Sequence, residues 1–203
     1  MLVKTFPLVV VAIFVSWCIL DTWIALAAMK ILNSSAFLQT ITSNIPDILF
    51  AFVCSISILF WSRYLMLKLH GVISEETKFC KIAGIAVPVA FILKSAFKSA
   101  FGRLDTRIWI ANQFLGNFHW FRGGGDYSSF PSGHMTVFTA LFSAIWLFYP
   151  RYRSISIGLA LSLGLTLMVT DYHFLSDVIA GAYLGLITTV LTLFSFEKLK
   201  LLV

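Results

Sequence analysis

The sequence predicts an all-α membrane protein that crosses the bilayer six times, and three observations lead to this prediction. The chain has 203 residues, of which 59% are hydrophobic and only 12% are charged, whereas an average soluble domain has about 25% charged residues. Several apolar runs approach the roughly 20 residues that span a bilayer as a helix. The length suits one integral membrane domain over residues 1–203, without an internal repeat or linker.

Six apolar segments are predicted to form the spans, and the fourth and fifth are short enough to cross with little tilt. They cover residues 7–29, 46–66, 82–100, 134–149, 155–172 and 175–195. A signal peptide is the alternative for the first, because Ala25–Met29 offers small side chains at a cleavage site. That apolar run is long for a signal peptide, so we expect a retained anchor. A carboxylate is costly in hydrocarbon, so we expect a neighbouring helix to satisfy the carboxyl of Asp21 within it, and the alternative is a functional role.

The basic residues indicate how the spans are oriented. Nine of the fifteen lie in the four segments that six spans place on one face: Lys4, Arg63, Lys68, Lys78, Lys81, Arg151, Arg153, Lys198 and Lys200. Because Lys and Arg concentrate on the cytoplasmic side, both termini are predicted to be cytoplasmic. Membrane topology therefore accounts for the net charge of +6, and no nucleic-acid partner is expected.

Five further basic residues lie in or beside the third connection, which this topology places outside. They are Lys94, Lys98, Arg103, Arg107 and Arg122. Lys94 and Lys98 are four residues apart and share one helix face. Lysines near a span also anchor it at the headgroups, but this group is larger than anchoring needs. The cluster therefore suggests a site for an anion.

A second stretch on the same face, Pro131–His134, reads PSGH and is predicted to begin a helix. The first backbone N–H groups of a helix lack intrahelical acceptors, and the helix dipole favours an anion there. Gly133 allows a ligand close to the backbone, and Ser132 is expected to cap the helix or to donate to an oxygen. The alternative is an ordinary turn that ends at an interfacial histidine, His134.

A third stretch contains His173 and Asp177, which are four residues apart and can share a helix face. A carboxylate at this distance can hold the tautomer of an imidazole and stabilise its protonated form. The alternative is a helix cap, with Ser176 or Asp177 opening the last helix. Asp171 would face elsewhere if this stretch were helical. Gly181 and Gly185 form a small-xxx-small pair that is typical of helix packing.

Topology places these stretches together. Between His134 and His173 the chain has room for two short spans, so it crosses inward and returns, and both histidines lie on the outer face with His119. Two histidines, one carboxylate and several cations suit phosphoryl transfer. One histidine would attack phosphorus, and the other would protonate the leaving oxygen and then activate water.

No metal or cofactor is expected. A two-metal site needs clustered carboxylates, and the acidic residues of the outer face show no such spacing: Asp47, Asp105, Asp126, Asp171 and Asp177. The three cysteines, Cys18, Cys54 and Cys80, have neither disulfide nor zinc-ligand spacing.

The motifs KSAFGR, PSGH and HFLSDVIAG, in this order, resemble those of the type 2 phosphatidic acid phosphatase (PAP2) superfamily. The resemblance covers about residues 80–190 and implies a PAP2-like helical bundle. Its membrane members are lipid phosphate phosphatases, which implies that His173 is the nucleophile, Asp177 its orienting partner and His134 the general acid.

The resemblance also implies that Lys98, Ser132 and Gly133 bind the phosphate, but the chain departs from the family pattern at two phosphate-binding arginines. Asp105 and Leu167 stand where the pattern has arginine.

Arg103 and Arg107 flank Asp105 and are the candidate replacements for a family arginine. We favour Arg103, because an FGR stretch precedes the arginine in many relatives.

The expected function is therefore hydrolysis of a phosphomonoester or diphosphate of a lipid, on the outer face of a bacterial inner membrane and without an obligatory protein partner. The family acts on several lipids, including phosphatidate, phosphatidylglycerol phosphate, undecaprenyl diphosphate and lipid A. The alternatives are a lipid phosphotransferase and a non-catalytic anion-binding or transport protein. The aromatic segment Ile108–Phe121 is expected to lie in the outer leaflet or simply to pack as a loop, and His119 and Arg122 are expected to contact a large headgroup.

Overall fold

The computed structural model describes residues 2–33, 45–112 and 118–201, and all regular secondary structure in these ranges is helical. The helices are α1 (Leu2–Val15), α2 (Asp21–Asn33), α3 (Ile45–Leu69), α4 (Glu75–Phe101), α5 (Thr106–Ala111), α6 (Gly133–Phe148), α7 (Arg153–Val169) and α8 (Leu175–Lys198). A π-helical turn, Ser16–Leu20, joins α1 to α2, and a 3-10 turn, Pro150–Tyr152, precedes α7. The predicted all-α class is confirmed.

Five helical segments are long and apolar enough to cross a membrane, which confirms the membrane class by length and composition. They are Lys4–Leu32, Leu49–Leu69, Glu75–Phe101, Pro150–Val169 and Leu175–Lys198. The predicted fourth span corresponds to α6, which is apolar but has only 16 residues. The number of crossings and the cytoplasmic termini stay predictions. Most of the first connection (residues 34–44) and the centre of the aromatic segment (residues 113–117) lie outside the described residues.

The short helix α6 lies at the centre of the bundle, between α4, α7 and α8. Its residues Val137, Ala140 and Ala144 are fully buried, and Val137 packs with Val87 of α4 and Val53 of α3. Small and β-branched side chains let these helices approach closely, which is how helices associate where the surrounding lipid removes the hydrophobic driving force.

The small-xxx-small pair of α8 forms the contact with α6, as the sequence predicted. A Cβ atom added at Gly181 would lie 2.6 Å from the carbonyl oxygen of Ser132, and one added at Gly185 would lie 2.8 Å from the backbone nitrogen of Ala140. Only glycine leaves room for the backbone of α6 at both positions. The two glycines therefore set how closely the last helix approaches the helix that begins at the PSGH motif.

Replacing Gly181 by alanine is expected to destabilise the fold by about 1–3 kcal/mol, because the added methyl group meets backbone and not a movable side chain. The measurement is thermal unfolding in detergent. Gly158→Ala is the matched control, since a Cβ at that helical glycine meets no atom within 4 Å and alanine favours the helix by up to about 1 kcal/mol. Equal melting temperatures for the two variants would contradict the proposed close contact.

Hydrogen bonds between loops gather the polar helix ends at one end of the bundle. Helix α4 ends at Phe101, and its cap is Gly102, whose φ of 52° favours glycine; the chain turns there before Arg103. The N–H of Ser129 donates to the carbonyl of Arg103 at 3.0 Å, and the N–H of Ser132 donates to the carbonyl of Asp177 at 3.1 Å. The end of α4, the loop before α6 and the start of α8 are thereby held together.

Candidate active site

A cavity of about 510 Å³ opens where these helix ends meet. It is lined by Leu49, Lys94, Lys98, Asp105, Arg107, Ile108, Gly125, Ser128, Gly133, His134, Asp171, Tyr172 and His173. The fold therefore brings together five of the eight site residues that the sequence singled out: Lys98, Arg107, Gly133, His134 and His173. The other three, Arg103, Ser132 and Asp177, are buried behind the cavity wall.

His173 lies in the turn between α7 and α8, and not on the helix with Asp177 as the spacing suggested. Its Nδ1 is 3.7 Å from Oδ2 of Asp177, which is longer than a direct hydrogen bond. The hydroxyl of Ser129 bridges the two groups, at 2.6 Å from Oδ2 of Asp177 and 3.4 Å from Nδ1 of His173. Sequence reasoning missed Ser129, because a serine in a polar loop carries no signal of its own.

This bridge determines the tautomer of His173. The Ser129 hydroxyl gives its single hydrogen to the Asp177 carboxylate, so it can only accept from Nδ1–H of the imidazole. The proton then lies on Nδ1, and Nε2 keeps the lone pair that a nucleophile needs. Burial lowers the pKa of His173, and the charges of Lys98 and Arg103 act in the same direction while Asp177 opposes them. The ring is therefore neutral at pH 7.

Asp177 does not open the last helix, which was the alternative role considered for it, because α8 begins at Leu175 and Asp177 is its third residue. Its Oδ2 accepts the backbone N–H of Phe174 at 3.2 Å, which satisfies a donor ahead of the first turn of α8. One carboxylate thus accepts a backbone donor at the start of the helix and faces the histidine. Its rotamer is held by bonds to the backbone as well as to side chains.

Arg103 lies away from the cavity, which differs from the sequence-based preference for it as a phosphate ligand. Its side chain has no solvent-exposed surface. Nη1 donates to Oδ1 of Asp177 at 2.5 Å and to the Ser176 hydroxyl at 2.6 Å, and Nη2 donates to Oδ2 of Asp21 at 2.7 Å. The guanidinium also stacks on Phe174 at 4.1 Å from the ring centroid. Two carboxylates occupy this arginine, which directs it into the bundle.

Arg107 is the arginine that lines the cavity. Its Nη2 donates to the carbonyl of Thr170 at 2.8 Å, and its guanidinium lies 5.6 Å from the ring centroid of Tyr172. The short helix α5 carries it to the turn that holds His173. Of the two candidate replacements for the family arginine, Arg107 is therefore the one positioned to meet a ligand.

The start of α6 lies against the two lysines of α4. A Cβ at Gly133 would lie 3.3 Å from Cδ of Lys94 and 3.6 Å from Cε of Lys98. Glycine at this position lets both lysine stems pass over the helix N-terminus, where the backbone N–H groups and the dipole favour an anion. His134, the next residue, contacts the Tyr172 ring edge-to-face at 5.7 Å between centroids.

Ser132 is also placed differently from its expected role in phosphate binding. It is fully buried, and its hydroxyl accepts the N–H of Met135 at 3.4 Å as the cap of α6. Its own N–H donates to the Asp177 carbonyl. Of the two roles considered from the sequence, capping is the one that the fold uses.

Two carboxyl groups line the cavity beside the cations, and sequence reasoning missed both. Asp171 was expected to face elsewhere, which is wrong, because the turn at this residue is not helical and its φ is 50°. Its side chain is buried with Oδ1 lacking a hydrogen-bond partner, and burial raises its pKa to about 7 against the charge of Arg107. Burial likewise raises the pKa of Asp105 to about 6, although Lys98 opposes this shift.

Within residues 2–33, 45–112 and 118–201, no group of three or more His, Cys, Asp or Glu side chains is arranged to hold a metal ion. The three cysteines are free thiols.

The described parts of the aromatic segment lie beside the site. Trp120 and Phe121 are exposed, the latter by 87%. His119 and Arg122 both contact Tyr127, with 4.7 Å between the ring centroids for His119 and 5.0 Å from guanidinium to ring for Arg122. Neither residue lines the cavity, and their contact with a headgroup stays a prediction.

Comparisons with known proteins show the family of the chain. Residues 79–200 match the PAP2 superfamily. An 82-residue stretch is 43% identical to the lipid A 1-phosphatase of Rhizobium johnstonii and 42% identical to that of Rhizobium etli. It covers 40% of this chain but only 34% and 35% of those relatives, about a third of their length. No solved structure matches the chain. Since the family match extends over more than half of the chain and includes the whole cavity except Leu49, the chain belongs to the PAP2 superfamily.

Proposed function

We propose that the protein is a membrane-embedded lipid phosphatase that hydrolyses a lipid phosphomonoester through a phosphohistidine intermediate. The observation that carries this proposal is a single cavity that holds a histidine bridged through Ser129 to Asp177, a second histidine and three cationic side chains. These are His173, His134, Lys94, Lys98 and Arg107. A binding site for an anion needs the cations alone, whereas the oriented histidine adds a nucleophile.

In the first step, Nε2 of His173 attacks phosphorus and the bond to the lipid oxygen breaks. The Nδ1 proton remains between the imidazole and Ser129, and the Asp177 carboxylate stabilises the positive charge that develops on the ring. Lys94, Lys98 and Arg107 hold the phosphoryl oxygens, together with the backbone N–H groups at the start of α6. His134 donates a proton to the leaving oxygen, which departs as the lipid alcohol.

In the second step, His134 accepts a proton from water, and the water oxygen bonds to phosphorus as the bond to Nε2 of His173 breaks. Inorganic phosphate leaves, and both histidines return to their starting states. None of these steps requires a metal ion. Each proton transfer by His134 is expected to contribute about 10²–10⁴-fold to the rate.

We further propose that the cavity opens on the outer face of a bacterial inner membrane. The nine basic residues on the other face support this orientation, since Lys and Arg concentrate on the cytoplasmic side. The five near the third connection oppose that bias, and a phosphate site accounts for them. The relatives named lipid A 1-phosphatase make a phosphorylated glycolipid the first substrate to test.

The test is an assay of phosphate release by the purified full chain in detergent. Lipid A with a 1-phosphate, phosphatidate, phosphatidylglycerol phosphate and undecaprenyl diphosphate are offered separately, with and without EDTA. We expect release from at least one monoester, unchanged by EDTA. Loss of activity in EDTA would contradict the metal-free mechanism, and transfer of the phosphoryl group to an added lipid without phosphate release would identify a phosphotransferase.

The pH dependence should depend on Asp171. Its pKa of about 7 means that the carboxyl is neutral at pH 6, whereas at pH 8.5 it is an anion inside an anion-binding cavity. We therefore expect kcat/KM to fall as the pH rises through about 7. Asp171→Asn should match the wild type at pH 6 and exceed it by about tenfold at pH 8.5, which corresponds to about 1.4 kcal/mol of repulsion.

The matched control for that measurement is Asp126→Asn, because Asp126 is exposed and does not line the cavity. The cavity also holds the ionisable groups Asp105, Lys94, Lys98, Arg107, His134 and His173. A wild-type alkaline limb that Asp171→Asn leaves in place would assign the limb to one of these groups and not to Asp171.

A further inference from the structure

The first span places a buried carboxylate beside the helix ends that form the candidate site. The π-helical turn Ser16–Leu20 precedes Asp21, and the N–H of Asp21 donates to the carbonyl of Ser16 five residues earlier. This wider turn brings Ser16 and Asp21 onto one face, and both are buried although the neighbouring Trp17 and Leu20 are exposed. Such turns are commonly found at functional sites. The prediction that a neighbouring helix satisfies Asp21 is confirmed, and the partner is α8.

Asp21 bonds to Ser176, which precedes Asp177 in the chain, and to Arg103, which bonds to Asp177. Its Oδ1 accepts the backbone N–H of Ser176 at 2.9 Å, and its Oδ2 accepts both the Ser176 hydroxyl and Nη2 of Arg103. Arg103 continues to Oδ1 of Asp177, whose other oxygen accepts from Ser129 beside His173. A continuous buried chain therefore runs from the first span to the candidate nucleophile.

The side chains of this hydrogen-bonded series are buried, so a change at one of them affects the others. Side-chain exposure is 3% for Asp21 and 0% for Arg103 and Asp177. Charged groups without access to water depend on one another for their stability, and each holds its neighbours in one arrangement. Arg103 has carboxylates on two sides, so a change at Asp21 alters both the position and the uncompensated charge of the guanidinium that faces Asp177.

We propose that Asp21 is a positioning residue of the active site, which holds Arg103 and Ser176 and through them keeps Asp177 oriented toward His173. This inference rests on the proposed function. Asp21 lies outside residues 79–200, over which the chain matches its family, so the family match assigns it no role. The first span thus contributes to the chemistry and does not serve only as an anchor.

The test compares Asp21→Asn with the wild type on whichever lipid the wild type hydrolyses. Asparagine keeps an oxygen for the Ser176 N–H but loses the charge that holds Arg103. We expect kcat to fall about 10²-fold, the loss that a misplacement of about 1 Å can cause, with KM within about threefold. Ser16→Ala is the matched control on the same buried face and should keep the wild-type kcat.

A double-variant cycle separates positioning from general damage. If Asp21 acts through Asp177, then Asp21→Asn should slow the Asp177→Asn variant by no more than about threefold. Two losses that multiply would show that Asp21 acts independently, which would overturn the proposal. Ser176→Ala removes a link without changing a charge, and we expect about a tenfold loss of kcat. This variant also serves where Asp21→Asn does not yield folded protein.

The pH profile of kcat/KM adds a second measurement. Loss of folded protein lowers the whole profile but does not shift the pH of its limbs. The charged groups facing His173 are Asp177 on α8, Lys98 on α4 and Arg103 after α4. In Asp21→Asn the charge of Arg103 is less compensated, so the pKa of His173 falls and the acidic limb of kcat/KM moves to lower pH. An unshifted limb with unchanged kcat would overturn the positioning role. Wild-type protein that releases no phosphate from any lipid would instead contradict the proposed function.

Discussion

Replacing His173 by alanine is expected to reduce kcat by about 10⁴–10⁶-fold, the loss seen when a catalytic nucleophile is removed. Nε2 is the atom that would bond to phosphorus, and the contacts from Nδ1 through Ser129 to Asp177 orient the ring. One measurement is phosphate release. The other is the ³²P retained on the protein after reaction with a ³²P-labelled substrate, when the protein is denatured without acid and separated from the substrate. Wild-type protein should carry an acid-labile, base-stable label that the variant lacks.

The second histidine sharpens this test. His134→Ala should lose about 10²–10⁴-fold with a lipid leaving group, because a lipid alkoxide must be protonated as it departs. With an aryl phosphate whose leaving group needs no proton, the first step should proceed, and the phosphohistidine should accumulate because water is no longer activated. His70→Ala is the control, since His70 is exposed at the turn after α3 and bonds only to the Met66 carbonyl among the contacts described. Labelling of His173→Ala to the wild-type level would contradict the assignment of the nucleophile.

Replacing the two arginines beside Asp105 should have different effects: loss of stability for Arg103 and loss of activity for Arg107. Arg103→Met leaves the buried carboxylates of Asp21 and Asp177 without their shared cation, which is expected to cost about 3–5 kcal/mol of folding stability. Arg107→Met removes a cavity-lining charge that a phosphate would meet. We expect the free energy of unfolding of this variant to lie within about 0.5 kcal/mol of the wild-type value and its kcat/KM to be about 10²-fold lower.

Unfolding in detergent and phosphate release, measured on the same preparations, distinguish these outcomes. Lysine at each position is the matched control, because it restores one positive charge without the fork of donors that a guanidinium offers. Arg107→Lys should recover part of the activity, whereas Arg103→Lys should recover little stability. Arg103 donates from two separate nitrogens, Nη1 to Ser176 and Asp177 and Nη2 to Asp21, and the single nitrogen of lysine does not reproduce that fork. If the Arg103→Met variant has the unfolding free energy of the wild type and loses only substrate affinity, then Arg103 binds the phosphate and does not serve to stabilise the fold.

Much of this molecule could be predicted from local sequence patterns. Apolar runs near the length of a bilayer, few charges and the bias of basic residues specify helical spans without reference to any contact. The spacing of Gly181 and Gly185 predicts close helix packing because a missing side chain has the same consequence in any bundle. PSGH and HFLSD place His134 and His173 at polar helix starts, and two intervening helices bring both to the same cavity.

The sequence by itself therefore determined the membrane class, the all-α fold and the end of the bundle at which the histidines meet. Only the tertiary structure decided which arginine faces the cavity, that Ser132 caps α6, and that Asp171 faces the cations. The reason is that an arginine has the same chemistry in a wall as in a cavity, and its role depends on which carboxylates lie within reach. The partner that directs Arg103 into the wall is Asp21, which lies 82 residues away in sequence, and no local pattern records a pairing made by folding.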